Sequence, residues 1–174
     1  MKISIRKIAF AAVVAAAYAA LTIVLAPISF GPLQLRVSEV LCILPFFFPS
    51  SAWGLFVGCV IANMFSIYGV IDVIFGSAAT LVSGFCVIWL GKRSEGIISK
   101  ILACFSPAVF NALFVGGVIA YSVAEDAFWS VYVFSGAEIF LSELAVLLIL
   151  GLPIMLNIHK TRLYKELQNI YNSK

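Results

Sequence analysis

The stretch Gly31-Pro32-Leu33-Gln34-Leu35-Arg36-Val37-Ser38-Glu39, with the apolar run Val40–Phe48 that follows it, decides how many times this chain crosses a membrane. It places two charges, Arg36 and Glu39, three residues apart in a chain that is 63% hydrophobic and 11% charged. If the run is helical, the two charges share one face. A charge near the centre of a bilayer costs about 2.5–3.5 kcal/mol, so such residues usually mark a functional site. We therefore predict that this stretch is the lip of an outward-facing binding pocket.

Long apolar runs dominate the rest of the chain, and the mean hydropathy is +1.13. A helix rises about 1.5 Å per residue, so about 20 apolar residues cross a hydrocarbon core about 30 Å thick. The runs lack the polar–apolar alternation of barrel strands, which leaves helices as the spanning elements. The sequence therefore predicts an all-α, polytopic membrane protein in which residues 1–174 form a single domain. The predicted spans are Ile8–Ala26, the shorter Leu33–Phe48, Ala52–Ile67, Val73–Gly91, Ile101–Val123 and Ser130–Leu156.

Three clusters of basic residues set the predicted orientation. Basic residues favour the cytoplasmic side, so the number of spans between successive clusters must be even. Four predicted spans separate the first cluster from the second, and two separate the second from the third. The first number is even only if the short second run is counted as a span, which gives six transmembrane helices with both termini cytoplasmic. A span this short and polar at its start is expected to be enclosed by neighbouring helices. The clusters are Lys2, Arg6 and Lys7; Lys92, Arg93 and Lys100; and Lys160, Arg162 and Lys165.

The alternative for the first 26 residues is a cleaved signal peptide. Their apolar stretch is longer than the usual 7–15 residues, and removing it would break the even spacing of the basic clusters. We therefore expect this segment to remain as the first span.

Polar side chains concentrate in the outer half of the predicted bundle. A channel would need polar groups at every depth, whereas a pocket open to one side needs only these. We favour a functional role for the deeper acids Glu39 and Glu138; for Arg36 and Asp72, at span ends, a structural or snorkelling role is an equal alternative. The predicted substrate-binding residues are Arg36, Glu39, Asn63, Asp72, Thr80, Glu138 and Ser142.

Two acids on the last span are expected to have different roles. Glu138 shares a helix face with Ser135 and Ser142, at spacings of three and four residues. Glu143 is five residues beyond Glu138, which turns it about 140° away around the helix.

The residue types indicate which ligands the pocket would suit. Carboxylates accept paired N–H donors, and an amide such as Asn63 offers both a donor and an acceptor. Acids outnumber arginine in this half, which favours a donor-rich or positively charged ligand. A purine-like base and a cationic vitamin both meet this description. Aromatic residues that could stack on a flat ring are Phe30, Phe65, Tyr68, Phe75 and Tyr132.

Two alanine stripes run along the first span. Small residues four apart let another helix approach closely. One stripe is enough for packing inside the bundle, so the second indicates either a contact with a different protein or further internal packing. The stripes are Ala11, Ala15 and Ala19, and Ala12, Ala16 and Ala20.

The sequence carries no motif for energy coupling or catalysis. A Walker A motif needs GxxxxGK[ST], but the only Gly-Lys pair, Gly91-Lys92, is followed by Arg93. HExxH and GxSxG are absent. The only histidine, His159, falls at the inner end, away from the acids, and the cysteines show no metal-ligand spacing. We therefore predict no catalytic residue, no metal and no cofactor, and expect any ATPase to be on another chain.

Several motifs resemble the QueT family, within the substrate-binding S components of energy-coupling factor transporters. They cover roughly residues 9–81. The rest of the chain matches in topology and around Glu138. The motifs are Ala19–Leu25 with Pro27, Gly31–Glu39, Trp53–Gly58, Ile61-Ala62-Asn63, Tyr68–Asp72, Phe75-Gly76-Ser77 and Ala79-Thr80-Leu81.

The resemblance implies the substrate-binding subunit of an ATP-driven uptake transporter in a bacterial cytoplasmic membrane. Its implied substrate is a queuosine precursor, a 7-deazaguanine such as the 7-aminomethyl or 7-cyano form or queuine. Its implied partners are a transmembrane coupling subunit and two ATPase subunits, with no nucleic acid. An S component for another planar or cationic vitamin is the main alternative, and a membrane-embedded enzyme is a weaker one.

The resemblance also implies roles for individual residues. The stripe Ala12, Ala16 and Ala20 would dock on the coupling subunit. One acid would hold the guanine-type edge of the substrate and another its aminomethyl cation. We favour Glu138 or Glu39 for the edge and Asp72 for the cation, with Arg36 holding Glu39 or Asp72 in place.

Overall fold

Helices are the regular elements throughout residues 4–31, 34–124 and 126–172, which are the residues that the computed structural model describes. The chain is all-helical over these ranges, as predicted, and they contain no β-strand. Predictions that involve Lys2, Pro32, Leu33 and Glu125 fall outside them. The α-helices are α1 (Ile5–Val24), α2 (Ala26–Ser29), α3 (Ser51–Asn63), α4 (Val70–Arg93), α5 (Ile97–Val123), α6 (Phe128–Val146), α7 (Leu152–Asn157) and α8 (Arg162–Asn172).

Four helical segments are long and apolar enough to cross a membrane. They are α1, α4, α5 and the continuous segment Phe128–Lys160, in which a π-helical turn at Leu147–Gly151 joins α6 to α7. Two shorter apolar helices, Val37–Phe46 and Ser51–Asn63, occupy the places of the predicted second and third spans. The chain is therefore a multi-pass membrane protein.

The second predicted span is a 3₁₀ helix over Val37–Phe46, and not an α-helix. A 3₁₀ helix rises about 2.0 Å per residue, so these ten residues extend about 20 Å. The helix packs against α1, α3, α4, α5 and α6. Its residues Ser38, Glu39, Cys42 and Ile43 are buried, which confirms that neighbouring helices enclose this short segment.

Helices α1 and α3 approach closely because glycines of α3 face alanines of α1. A Cβ atom at Gly54 would collide with the carbonyl oxygen of Ala11, and one at Gly58 would lie 2.7 Å from the carbonyl oxygen of Ala15. Ala15 and Ala19 are accordingly buried. The other stripe, Ala12, Ala16 and Ala20, is exposed on the surface of the bundle.

The two ends of the bundle differ. At one end, α8 packs Tyr164 and Tyr171 against Phe48, and the backbone N–H of Ser50 donates a hydrogen bond to the Tyr171 hydroxyl (3.0 Å). At the opposite end, Ile67 and Tyr68 of the α3–α4 connection border a cavity together with Phe30 and Gln34. An apolar core that includes Ile43, Val87 and Leu147 lies in the bundle interior.

Candidate substrate-binding site

A cavity of about 310 Å³ opens at the end of the bundle opposite α8, and we call it the polar pocket. Its volume is at the lower end of the range for small-molecule sites, about 300–1,000 Å³. Glu138 and Ser135 reach it from α6, three residues apart on one helix face. The lining residues are Phe30, Gly31, Gln34, Ile67, Tyr68, Ile119, Ser135 and Glu138.

Gln34 supports one wall of the polar pocket in a constrained backbone conformation. Its φ of 41° lies in the left-handed region, which is costly for a residue with a side chain. The Gln34 N–H donates to the carbonyl oxygen of Gly31 (2.9 Å). Such strain is tolerated where the surrounding structure requires it, and this occurs most often at binding sites.

Tyr68 gives the polar pocket a hydroxyl group on an aromatic ring. Burial raises the pKa of Tyr68, and the nearby charge of Asp72 raises it further. The hydroxyl therefore keeps its proton at neutral pH and is available as a hydrogen-bond donor. Together with Phe30, the Tyr68 ring also supplies an aromatic surface for a flat ligand.

Three buried polar residues form a second group, which we call the ionic cluster: Arg36, Asn63 and Asp72. Each is at most 2% exposed. Arg36 Nη2 lies 3.7 Å from Asp72 Oδ2, an ion pair longer than a hydrogen bond. The Asn63 side-chain amide donates to the backbone carbonyl of Asp72 (3.1 Å).

Several side-chain atoms of the ionic cluster lack hydrogen-bond partners among the described residues. They are Arg36 Nε and Nη2, Asn63 Oδ1 and both carboxylate oxygens of Asp72. Buried polar groups are nearly always paired, so a concentration of unpaired ones calls for an explanation. A ligand with both donors and acceptors would supply one.

Gly76 makes the arrangement of the ionic cluster possible. A Cβ atom at this position would lie 2.7 Å from Asn63 Nδ2 and 2.9 Å from Asp72 Oδ1. The absence of a side chain at Gly76 therefore leaves the space that these two polar groups occupy.

Two other buried acids have protein partners for both carboxylate oxygens. Glu39 accepts hydrogen bonds from the Tyr18 hydroxyl (2.5 Å) and from the Cys42 thiol (3.0 Å). Glu143 accepts from the side-chain amide of Asn111, whose nitrogen lies 3.0 Å from each oxygen. Glu143 and Glu138 thus have different surroundings, as their spacing predicts.

Thr80 and Ser142 do not line the polar pocket. The Thr80 hydroxyl donates to the carbonyl of Gly76 (3.1 Å) and lies 3.3 Å from the sulfur of Cys59. The Ser142 hydroxyl donates to the carbonyl of Ile139 in its own helix (3.0 Å).

The predicted site residues therefore divide into three groups. Glu138 lines the polar pocket, while Arg36, Asn63 and Asp72 form the ionic cluster. The side chains of Glu39, Thr80 and Ser142 form hydrogen bonds outside both the polar pocket and the ionic cluster. Gln34 and Ser135 were absent from the predicted set, although signals existed: Gln34 lies in the stretch before Arg36, and Ser135 lies three residues before Glu138. The sequence analysis also did not predict that Tyr18 is a hydrogen-bond partner of Glu39, or that Asn111 is a partner of Glu143.

A larger cavity of about 620 Å³ opens between α4, α5 and α6, and it is a poor candidate for a polar ligand. Its lining is almost wholly apolar and includes no charged side chain among the described residues. The smaller, polar pocket is therefore the better candidate for binding a polar molecule. The larger cavity is lined by Ile71, Phe75, Leu113, Phe114, Gly117, Val118, Tyr121 and Phe128.

The helical bundle and its apolar helices define the class, a multi-pass membrane protein with a polar pocket at one end. The QueT transporter family model matches residues 8–160, so this chain belongs to the QueT transporter family. The proteins that this family model describes are transporters, a class distinct from enzymes.

A named relative is found in the same family. Over 73 residues, the chain is 44% identical to "Queuosine precursor transporter QueT" of Lactococcus lactis subsp. cremoris (strain MG1363). The match covers 41% of this chain and 43% of that relative, so it spans less than half of either protein. No solved structure gives a significant match.

Proposed function

We propose that this protein captures a queuosine precursor, a 7-deazaguanine, outside the cell and passes it across the cytoplasmic membrane. The polar pocket carries the proposal, because it combines a carboxylate, Glu138, with the aromatic rings of Phe30 and Tyr68. Membership of the QueT transporter family supports transport, and the name of the Lactococcus relative supports the substrate class.

The proposed topology has six spans with both termini cytoplasmic. Four long apolar helices and two short ones support the number of crossings. The basic residues Lys92, Arg93, Lys160 and Arg162 are at the α8 end of the bundle, opposite the polar pocket. The positive-inside rule then directs the pocket to the outside.

The proposed partners are a transmembrane coupling subunit and two ATPase subunits. The chain has no Walker A motif, so energy from ATP would have to come through another protein. The exposed stripe Ala12, Ala16 and Ala20 is the proposed docking surface, since small side chains let a second helix pack closely.

Thermal unfolding of the purified full chain in lipid nanodiscs tests the proposed substrate. Micromolar 7-aminomethyl-7-deazaguanine should raise the unfolding temperature without ATP, because a ligand at 100 times its Kd stabilises the native state by about 2.7 kcal/mol. Thiamine and riboflavin serve as controls. A shift with one of these vitamins but with no deazaguanine would instead identify an S component of another specificity.

A further inference from the structure

Phe30 and Tyr68 connect the polar pocket to the ionic cluster. The Phe30 ring lines the pocket, and its centroid lies 5.4 Å from the guanidinium carbon of Arg36. Tyr68 also lines the pocket, and the carbonyl oxygen of the next residue, Gly69, accepts a hydrogen bond from the Asp72 N–H (3.1 Å). The ionic cluster is therefore next to the polar pocket, and Phe30 and Tyr68 adjoin both.

The unpaired atoms of the ionic cluster form a definite hydrogen-bonding pattern. Arg36 has two nitrogens without acceptors, and Asp72 has two oxygens without donors. A guanine-type base presents the complement along one edge: a carbonyl oxygen, then a ring N–H, then an exocyclic amino group. A guanidinium beside a carboxylate matches this order, and both groups are planar and able to bind in a bidentate manner.

We infer that Arg36 and Asp72 bind the hydrogen-bonding edge of the base, while Glu138 holds its positively charged substituent. This inference rests on the proposed function. The Phe30 ring, which lies beside the guanidinium and lines the pocket, supplies an aromatic surface for the base. Arg36 then donates to the carbonyl oxygen, and Asp72 accepts from the ring N–H and the amino group.

This assignment reverses the roles expected from the sequence. Arg36 already offsets the charge of Asp72, which makes Asp72 a weak site for a cation. Glu39 is not available to bind the edge of the base, because its two carboxylate oxygens already accept hydrogen bonds from Tyr18 and Cys42. Glu138 is half-buried in the polar pocket, and no ion pair to it occurs among the described residues.

The experiment measures binding of three compounds to the purified full chain by titration calorimetry in nanodiscs. The 7-aminomethyl compound carries the edge and the cation, and 7-cyano-7-deazaguanine carries the edge alone. The third, 7-cyano-7-deazahypoxanthine, lacks the amino group of the edge. Wild-type protein should bind this third compound about tenfold to a hundredfold more weakly than its parent, since one hydrogen bond to a charged group is lost.

Two variants distinguish the roles of Asp72 and Glu138. Asp72→Asn should weaken the binding of both deazaguanines about tenfold or more. Glu138→Gln should weaken the 7-aminomethyl compound by a similar factor and leave the 7-cyano compound within about twofold. Asp126→Asn removes an exposed charge from the α5–α6 connection and serves as the matched control, with all affinities unchanged.

Each result supports or overturns the inference. Equal wild-type affinity for the two 7-cyano compounds, or full affinity in Asp72→Asn, would overturn it while leaving the proposed function intact. If Glu138→Gln no longer binds the 7-cyano compound, the division of roles between Asp72 and Glu138 is wrong. If the wild-type protein binds no deazaguanine, the proposed function itself is wrong. If Asp72→Asn does not fold, the wild-type comparison of the two 7-cyano compounds decides.

Discussion

Replacing Ala16 by leucine should abolish uptake while leaving the isolated chain folded and able to bind its ligand. Ala16 is exposed on α1, so a larger side chain meets no neighbour within the protein. Substitutions at such positions usually change the free energy of unfolding by less than about 0.5 kcal/mol. On the proposed docking surface, however, leucine would hold the proposed coupling subunit away from the helix backbone.

The adjacent substitution Ala15→Leu is the matched comparison. Ala15 is 6% exposed, and its carbonyl oxygen lies 2.7 Å from the position that a Cβ of Gly58 would occupy. Overpacking at such a contact costs about 1–3 kcal/mol. For a chain of this size, that loss lowers the unfolding temperature by about 2–12 °C.

Two assays separate these effects. Uptake of radiolabelled precursor is measured in cells that express the complete transporter, and thermal unfolding with and without ligand is measured on the purified chain. Ala16→Leu should affect only the first assay, and Ala15→Leu should lower the unfolding temperature in the second. Full uptake by Ala16→Leu, or loss of ligand binding together with uptake, would refute the docking role of this stripe.

Two further substitutions probe the buried polar groups. Tyr18→Phe should lower the free energy of unfolding by about 1–3 kcal/mol, because it leaves one buried oxygen of Glu39 without its donor; an unchanged unfolding temperature would contradict this. Gly76→Ala should reduce ligand affinity about tenfold by displacing Asn63 and Asp72. Its overpacking cost of about 1–3 kcal/mol is partly offset by the helix preference of alanine, about 1 kcal/mol. Unchanged affinity in calorimetry would show that the ionic cluster is not part of the site.

Hydropathy was sufficient to predict the helical class and the positions of the long spans, because each depends only on a local run of apolar residues. The form of the second segment was not predictable in this way. A run such as Val40–Phe48 has the same apolar character whether it is α-helical or 3₁₀. The spacing of the alanines also predicted two stripes but not which would be buried. That choice depends on Gly54 and Gly58 of α3, which are distant in sequence from α1.

The candidate site shows the same limit. Spacing along one helix correctly separated Glu138 from Glu143, because both lie on α6 and the angle between them follows from helix geometry. Spacing could not show that Glu39 is paired with Tyr18, which is 21 residues earlier on another helix. The pairing of Arg36 with Asp72 was expected as one of two options, and the choice between them required tertiary structure.

The contrast between the buried acids is the strongest argument that the ionic cluster has a binding role. Glu39 and Glu143 show how this protein accommodates an acid in its interior, with both oxygens paired to nearby donors. Asp72 is just as deeply buried, but its only charged neighbour is 3.7 Å away and both oxygens lack hydrogen bonds among the described residues. Burying a charge without hydrogen bonds is costly, so a purely structural acid would be expected to resemble the other two. A ligand that donates two hydrogen bonds to Asp72 would remove this difference.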